Sequence, residues 1–284
     1  MHFIIKQSIL FLTICSLWVS SVFAQTLDET LEFADYQFES ANYNLALKEY
    51  QRVLFFNDGK NLQHIYEQIG SIHFFNRDFG KANYYFELSY KTTGSDSIKT
   101  EMIFKKASGF MLEKNFKQAT FELMNLPDSL DERTTDRKNF YYAVCYWGLE
   151  DFAQAESSFL KILNKENKSG KEAIAMLFDK KKNFYRPNPK TAKVMSIILP
   201  GSGQIYSGDF KNGINSLLLT GGFVTLGVYM THYYSFFDAF LTAIPWFMRY
   251  YQGGYKNAEK IAFAKRANRR NKAYQDILQI IKNN

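Results

Sequence analysis

A pattern of small and bulky residues recurs every 36 or 37 residues through the first half of the chain. Four times, an aromatic residue stands three positions before an alanine, another small residue lies twelve positions before that alanine, and a large apolar residue lies four positions after it. The triplets of small residue, alanine and large residue are Ala34/Ala46/Tyr50, Gly70/Ala82/Phe86, Ala107/Ala119/Leu123 and Ala143/Ala155/Phe159. Small residues let two helices approach closely, and a bulky residue one turn later fills the groove beside them. Because one such pair cannot bury its apolar face alone, the pattern predicts four stacked helical pairs over residues 25–164; an ordinary helical bundle with accidental periodicity is the alternative.

This spacing resembles the tetratricopeptide repeat (TPR) family, although the tryptophan and the terminal proline of that consensus are mostly absent. In that family, the inner face of each first helix forms a groove that binds peptides or partner helices. The resemblance implies a groove that offers Asp35, Phe38, Glu67, Phe74, Met111 and Trp147. The groove lacks a ring of basic residues for a C-terminal carboxylate, so we expect mainly apolar and aromatic recognition. For each of these side chains, packing between repeats is the alternative role.

Residues 1–24 have the composition of a secretory signal peptide. Lys6 supplies a positive start, Ile9 to Val19 form an apolar stretch, and Val22-Phe23-Ala24 precede the expected cleavage site. An uncleaved N-terminal membrane anchor is the alternative. Cleavage leaves Cys145 as the only thiol, so no intramolecular disulfide can form in an oxidising compartment. We therefore expect the rest of the chain to be exported.

The second half of the chain changes in composition. Residues 165–192 are expected to form a capping helix, at Glu172 to Phe178, and a basic linker that the prolines at 187 and 189 interrupt. Residues 193–255 are expected to form a transmembrane helical hairpin. Its first arm, Gly213 to His232, spans about 30 Å as a helix, which is one hydrocarbon thickness. Its second arm, Phe236 to Tyr251, contains Pro245, which is expected to kink it. Two buried helices of a soluble domain are the alternative.

A glycine-rich motif precedes the first arm of the hairpin. Its residues are Pro200, Gly201, Gly203, Gln204, Tyr206, Gly208 and Gly213. Over residues 194–262 the chain resembles small two-helix membrane domains with the signature P-G-x-G-Q-x-Y-x-G-x(4)-G, found at the C-terminus of some Bacteroidetes-type envelope proteins; that family implies no defined activity. A phosphate-cradling loop is excluded, because Tyr206 stands where a dinucleotide motif needs glycine and Asp209 where a P-loop needs lysine.

Charge is divided unequally along the chain. Residues 25–160 carry a net charge of −7 and residues 161–284 one of +13. Residues 256–284 are expected to form a basic amphipathic tail helix that anionic lipids attract, with a solvated face as the alternative and nucleic-acid binding disfavoured by export. The positive-inside rule places both basic flanks of the hairpin in the cytoplasm, whereas the signal places the repeats outside it. The topology of the hairpin and the choice of membrane stay open.

The sequence offers no recognisable catalytic chemistry. Two cysteines and four histidines argue against a disulfide framework or a metal centre, and no acid–base dyad or nucleophile triad has usable spacing. Asp238 and Arg249 are the ionisable pair of the membrane region, and either a functional role or a position at the interface explains them. We therefore expect no cofactor, metal, nucleic acid or small-molecule substrate.

Two hypotheses for function follow for an all-α protein of this kind. The first is a non-catalytic adaptor of the bacterial cell envelope, whose periplasmic repeats bind a protein partner and whose hairpin contacts membrane lipids. The second is an accessory factor for membrane-protein biogenesis or transport, in which the hairpin is the active part and the repeats only tether it.

Overall fold

The computed structural model describes residues 26–164, 166–179 and 184–283, so the expected signal at 1–24 and part of the lysine-rich linker lie outside the described residues. Within this part of the chain the fold is all-helical, as the sequence predicts, with thirteen helices and no strand. The helices are α1 Leu27–Glu39, α2 Tyr43–Phe56, α3 Leu62–Phe75, α4 Phe79–Thr92, α5 Asp96–Leu112, α6 Phe116–Leu123, α7 Glu132–Gly148, α8 Phe152–Ile162, α9 Lys168–Asp179, α10 Pro189–Ile198, α11 Ser202–Tyr206, α12 Phe210–Tyr233 and α13 Phe236–Lys282.

The helices form two compact units that meet in the sequence at Leu149 and Glu150. The first unit contains α1 to α7 and the second contains α8 to α13. This boundary falls inside the fourth predicted repeat. Helix α8 packs against α9, and its Phe159 ring lies 6.4 Å from the ring of Tyr274 near the end of α13. Contacts with its own C-terminal partners therefore make α8 part of the second unit.

The residues that define the sequence pattern are buried. Each of the twelve small and bulky positions is inaccessible or nearly so to solvent. Ala34, Ala46 and Tyr50 share one apolar cluster with Ile65 and Ile69, while the third triplet lies in another cluster. The prediction that these positions lie in helix–helix contacts is confirmed within the first unit.

A left-handed turn also recurs with the same period. Ala41, Arg77, Lys114 and Glu150 have φ values of 59°, 61°, 60° and 63°, respectively. Each stands directly before the N-cap of the second helix of a pair, and the N-cap side chains of Asp78, Asn115 and Asp151 accept hydrogen bonds from the backbone three residues later. Left-handed residues that are not glycine are conformationally costly, so four of them at equivalent positions indicate one turn geometry, repeated.

Replacing Gly70 by alanine should destabilise the first unit. A Cβ at this position would lie 2.7 Å from the ring of Phe86, which is fully buried. Overpacking of this kind costs about 1–3 kcal/mol, which exceeds the gain of up to about 1 kcal/mol in helix propensity. Chemical denaturation measures the loss, and Gly80→Ala is the matched control because a Cβ there meets nothing within 4 Å. Equal stability of the two variants would contradict close packing at Gly70.

The second unit contains an antiparallel helical hairpin. Ser216 lies against Gly254, the rings of Phe223 and Tyr250 stack at 5.3 Å, and the hydroxyl of Thr242 donates a hydrogen bond to the sulfur of Met230. Residues later in α12 therefore contact residues earlier in α13, so the two helices are antiparallel. The two helices are joined by a turn at residues 234–235.

The second arm and the tail form one helix. Helix α13 runs for 47 residues from Phe236 to Lys282 and continues through Pro245. Pro245 is the tenth residue of this helix, so it removes the one ladder hydrogen bond that its missing N–H would donate to Leu241, and the helix is nevertheless continuous on both sides of it. The separate arm and tail predicted from the sequence are therefore one element.

The apolar face of the tail packs against its own chain. Ala273 and Ile277 are buried, and Arg270 forms two hydrogen bonds to the carboxylate of Glu150, at 2.6 and 2.8 Å. The Arg270 guanidinium holds the pKa of Glu150 below its usual range. The apolar face of the predicted tail helix is therefore covered by α8 and α9, and the attraction of its basic face to anionic lipids stays a prediction.

Candidate functional site

A row of polar contacts crosses the first helices of successive pairs. His64 Nε2 on α3 lies 2.8 Å from Asp35 Oδ1 on α1, and Lys105 Nζ on α5 donates to Glu67 Oε1 on α3 at 2.7 Å. Arg137 on α7 binds the carboxylate of Glu101 on α5 through two hydrogen bonds. We call these three contacts the polar ladder. They show that α1, α3, α5 and α7 are neighbours in sequence order.

The two acidic residues of the predicted groove belong to this ladder. Asp35 accepts a hydrogen bond from the hydroxyl of Tyr50 in addition to its contact with His64. Burial is the main cause that raises the pKa of the Tyr50 phenol, and the hydrogen bond to Asp35 is the second. Glu67 is held by Lys105 and by the side chain of Gln63. Both carboxylates therefore have partners within the chain.

The apolar residues of the predicted groove are half-buried. The rings of Phe38 and Phe74 both lie near Phe75, at 6.3 and 6.5 Å between centroids. Met111 packs against a separate cluster that contains Phe104 and Ala107, and Trp147 is half-buried near the end of α7. Phe38 packs against the cluster of Ala34 and Tyr50, and Phe74 against that of Ala82 and Phe86, so the structure distributes the apolar groove residues over separate clusters.

A small cleft lies beside the ladder. It has a volume of about 280 Å³, and Glu67, Glu101 and Arg137 contribute to its walls. Phe104 forms an apolar wall, with the Arg137 guanidinium 4.1 Å from its ring centre. The cleft combines charge with an aromatic surface and is large enough to accept one side chain of a partner.

Sequence reasoning missed four members of the polar ladder, which are His64, Glu101, Lys105 and Arg137. His64, Glu101 and Arg137 each lie six residues before a small landmark, at Gly70, Ala107 and Ala143 respectively. The signal was therefore present in the register of the repeats, but it appears only when the repeats are aligned and equivalent positions are compared between neighbours.

The glycine-rich motif forms the junction of α10, α11, α12 and α13. Ser196 on α10 donates a hydrogen bond to Gln204 Oε1 at 2.9 Å, and Gln204 Nε2 donates to the carbonyl oxygen of Gly254 on α13 at 2.9 Å. The backbone N–H of Gly203 donates to Ser196 Oγ at 3.0 Å. Gln204 is 1% exposed, so this residue joins three helices through a buried polar network.

The glycines of the motif permit close backbone contacts. A Cβ on Gly201, whose φ is 90°, would lie 2.1 Å from the carbonyl oxygen of Gly213, and a Cβ on Gly203 would lie 1.9 Å from that of Ala192. The left-handed Gly208 ends α11, and the half-buried Pro200 follows α10. Gly201, Gly203 and Gly213 thus permit close packing, whereas Gly208 supplies a left-handed turn.

Tyr206 completes the motif. Its hydroxyl accepts a hydrogen bond from the backbone N–H of Asn188 at 3.2 Å, next to the start of α10. Tyr251 on α13 makes a comparable contact, because its hydroxyl donates to the carbonyl oxygen of Ile197 at 2.8 Å. Both tyrosines are amphipathic side chains with a polar tip held at one end of the hairpin.

The hairpin presents a large apolar surface. Helix α12 is long and apolar enough to cross a membrane, and 11% of its most apolar stretch is buried. In the described residues it is the one helix that satisfies this criterion. Large apolar side chains also lie exposed on α13 and at the end of α10, including Phe237, Leu241, Trp246 and Ile198. A patch of this extent marks a contact with lipid or protein.

The described residues place no group of three or more His, Cys, Asp or Glu side chains to hold a metal ion. Burial raises the pKa of the Cys145 thiol to about 11, so this thiol is protonated at neutral pH. Comparison of the chain with protein-family models, curated proteins and solved structures found no match.

Proposed function

We propose that this chain is a non-catalytic adaptor of the bacterial cell envelope, in which TPR-like helical pairs bind a protein partner and the hairpin attaches them to a membrane. One observation carries the proposal: regularly repeated helical pairs stand in the same chain as a helix, Phe210–Tyr233, that is long and apolar enough to cross a bilayer. The buried landmark positions and the recurring left-handed turn support the repeat interpretation.

The proposed binding face is the side of the first helices that carries the polar ladder. In the TPR family, which the spacing resembles, this face receives peptides or partner helices. The cleft between Glu67, Glu101 and Arg137 supports recognition of one anchoring side chain, with the half-buried Phe38, Met111 and Trp147 adding apolar area. Recognition is then more polar than the sequence alone indicates.

The attachment is proposed to use the apolar surface of α12 together with the start of α13. Tyr229, Tyr233 and Tyr234 cluster at one end of the hairpin, whereas Tyr206 and Tyr251 lie at the other. Tyrosines at both ends of an apolar segment are typical of helices that meet two membrane–water interfaces. Export by the signal at 1–24 would place the repeats in the periplasm.

Photo-crosslinking in cells tests the binding face. A benzophenone amino acid at Ser97, which is exposed beside the cleft, should crosslink to a partner. The same group at Phe55 on α2, which is 81% exposed, is the control and should not capture that partner. Crosslinks of equal yield at both positions would contradict a specific binding face.

Deletion of residues 26–149 tests the adaptor role itself. This deletion removes the first unit and retains α8, which belongs to the second. Pull-downs from envelope membranes should then lose the partner captured at Ser97. Recovery of the same partner would favour the alternative, an accessory of membrane biogenesis or transport in which the hairpin is the active part. An apolar groove of about 570 Å³ between α12 and α13 is the observation that favours this alternative.

A further inference from the structure

A polar cavity of about 270 Å³ lies between α12 and α13, at the end of the hairpin away from its turn. Its polar lining consists of Gln204, Asn212, Asn215, Ser216, Arg249 and Asn257. The volume is several times the roughly 30 Å³ that one water occupies in the liquid. The cavity is notable because the surface around it is apolar, so polar groups here require partners that lipid tails do not supply.

Two of the lining side chains are already engaged. Gln204 donates its amide hydrogen bond to Gly254, and Asn212 donates to Asp209 Oδ2 at 2.7 Å. Asp209 is a nearby acidic group, and it also accepts a hydrogen bond from the backbone N–H of Asn212. The side-chain and backbone hydrogen bonds from Asn212, followed by the charges of Lys265 and Lys211, lower the pKa of Asp209. These interactions account for the acidic charge beside the cavity.

The other lining groups are hydrogen-bond donors with a positive charge among them. In the described part of the chain, Arg249 forms no ion pair, and its guanidinium lies 5.7 Å from the ring centre of Trp246. The buried hydroxyl oxygens of Ser216 and, one turn further, Thr220 have no hydrogen-bond partner among the described residues. Thr220 is 2% exposed. Thr220 does not line the cavity, but the unpartnered Ser216 hydroxyl lines it together with the exposed arginine, which indicates a site that is completed by an acceptor-rich group.

We propose that this cavity binds a phosphate group, either in the headgroup of an anionic lipid or as free phosphate. Arginine binds phosphate oxygens through two parallel hydrogen bonds, and the amides of Asn215 and Asn257 add neutral donors around the same space. Basic pockets between membrane helices bind anionic lipid headgroups for this reason.

The depth of the cavity suits a lipid headgroup. Asn212, Asn215 and Ser216 lie in the first two turns of α12, within about 10 Å of its start at the helical rise. Two tyrosines of α13 lie at the depth of the cavity: Tyr250, which lines it, and the adjacent Tyr251. The phosphate site thus lies where a bilayer places its headgroups.

Native mass spectrometry of the full-length protein in mild detergent tests the proposal. Phosphatidylglycerol should bind about tenfold more tightly than phosphatidylcholine, and Arg249→Gln should remove most of this preference. Lys211→Gln is the matched control, because Lys211 is exposed at the same end of the hairpin and does not line the cavity. Its lipid preference should stay within about twofold of wild type.

A second arm distinguishes lipid from free phosphate. The melting temperature is measured in millimolar inorganic phosphate and in chloride at equal ionic strength. If free phosphate enters the site, phosphate should raise the melting temperature of the wild type but not that of Arg249→Gln. A preference for phosphatidylglycerol without this shift assigns the site to lipid. Arg249→Gln must melt at the wild-type temperature without either ligand. Equal binding of phosphatidylglycerol and phosphate by wild type and Arg249→Gln overturns the proposal, and this result leaves the repeat-binding proposal untouched.

Discussion

Replacing Gly203 by alanine is expected to disrupt the junction of α10, α11, α12 and α13. The new methyl group would lie 1.9 Å from the carbonyl oxygen of Ala192 and 2.6 Å from Ser196 Oγ. Neither the backbone of α10 nor the buried Ser196 can move away without breaking the hydrogen bonds to Gly203 and Gln204. We therefore expect a loss of at least about 3 kcal/mol, at the upper end of the cost of overpacking.

Thermal unfolding in mild detergent measures this loss, and Gly222→Ala provides the control. Gly222 lies in α12, where a Cβ meets nothing within 4 Å, so its replacement should leave the melting temperature unchanged or raise it slightly. If Gly203→Ala melted like Gly222→Ala, the close approach of α10 and α11 described for the motif would be incorrect.

Replacing Lys106 by methionine is expected to cost the first unit about 3–5 kcal/mol. Lys106 Nζ lies 2.6 Å from Glu87 Oε2 and 2.7 Å from Glu122 Oε2. The side chains of Lys106 and Glu122 are only 11% and 10% exposed. Removal of the lysine leaves the Glu122 carboxylate with little solvent and without its counter-charge, which is the costly way to break a buried ion pair, whereas Glu87 keeps its ion pair with Lys91.

Lys105→Met is the matched control for this variant. Lys105 is the preceding residue, and its ion pair with Glu67 is more exposed. An ion pair that solvent reaches contributes about 0–1 kcal/mol. The free energies of unfolding of the two variants, measured by urea denaturation, should therefore differ by several kilocalories per mole. Similar free energies would mean that solvent reaches Lys106 in solution.

The same ion-pair cluster should make the stability of the first unit depend on pH. Burial alone would raise the pKa of Glu87 and lower that of Lys106. Hydrogen bonds and charge from Lys106 and Lys91 outweigh burial at Glu87, and those from Glu122 and Glu87 outweigh it at Lys106. The pKa of Glu87 is lowered, so its contribution is present above its unfolded pKa and is lost as the pH falls through the lower folded value. The pKa of Lys106 is raised, so its contribution is lost only in strong alkali. Denaturation at pH 7 and at pH 3 should show a smaller cost of Lys106→Met at the lower pH.

The sequence was sufficient to predict the helix contacts because those contacts depend on size. A position such as Gly70 admits no Cβ beside the Phe86 ring, so packing leaves a direct trace in residue type at a fixed spacing. The apolar helix Phe210–Tyr233 was predictable for a similar reason, since length and composition alone define it. The predicted first arm, Gly213 to His232, lies within this helix.

Two other features of the structure could not be predicted from residue type, namely the recurring left-handed turn and the contact of Arg270 with Glu150. The left-handed residues Ala41, Arg77, Lys114 and Glu150 share no residue type, because the turn selects backbone geometry and tolerates many side chains. The role of Arg270 was hidden for another reason. Its partner Glu150 is 120 positions away, and a basic residue on an amphipathic helix looks the same whether it faces lipid headgroups or a carboxylate of its own chain.

The uninterrupted α13 has a mechanical consequence. Its 47 residues extend for about 70 Å at the helical rise, and one end is paired with α12 while the other is clamped through Arg270 to Glu150. Because both ends belong to one helix, a change in tilt at the hairpin end is transmitted along the helix to the segment that Arg270 holds against Glu150. Under the proposed membrane attachment of the hairpin, a change in bilayer thickness would reach α8 and α9 through this one helix.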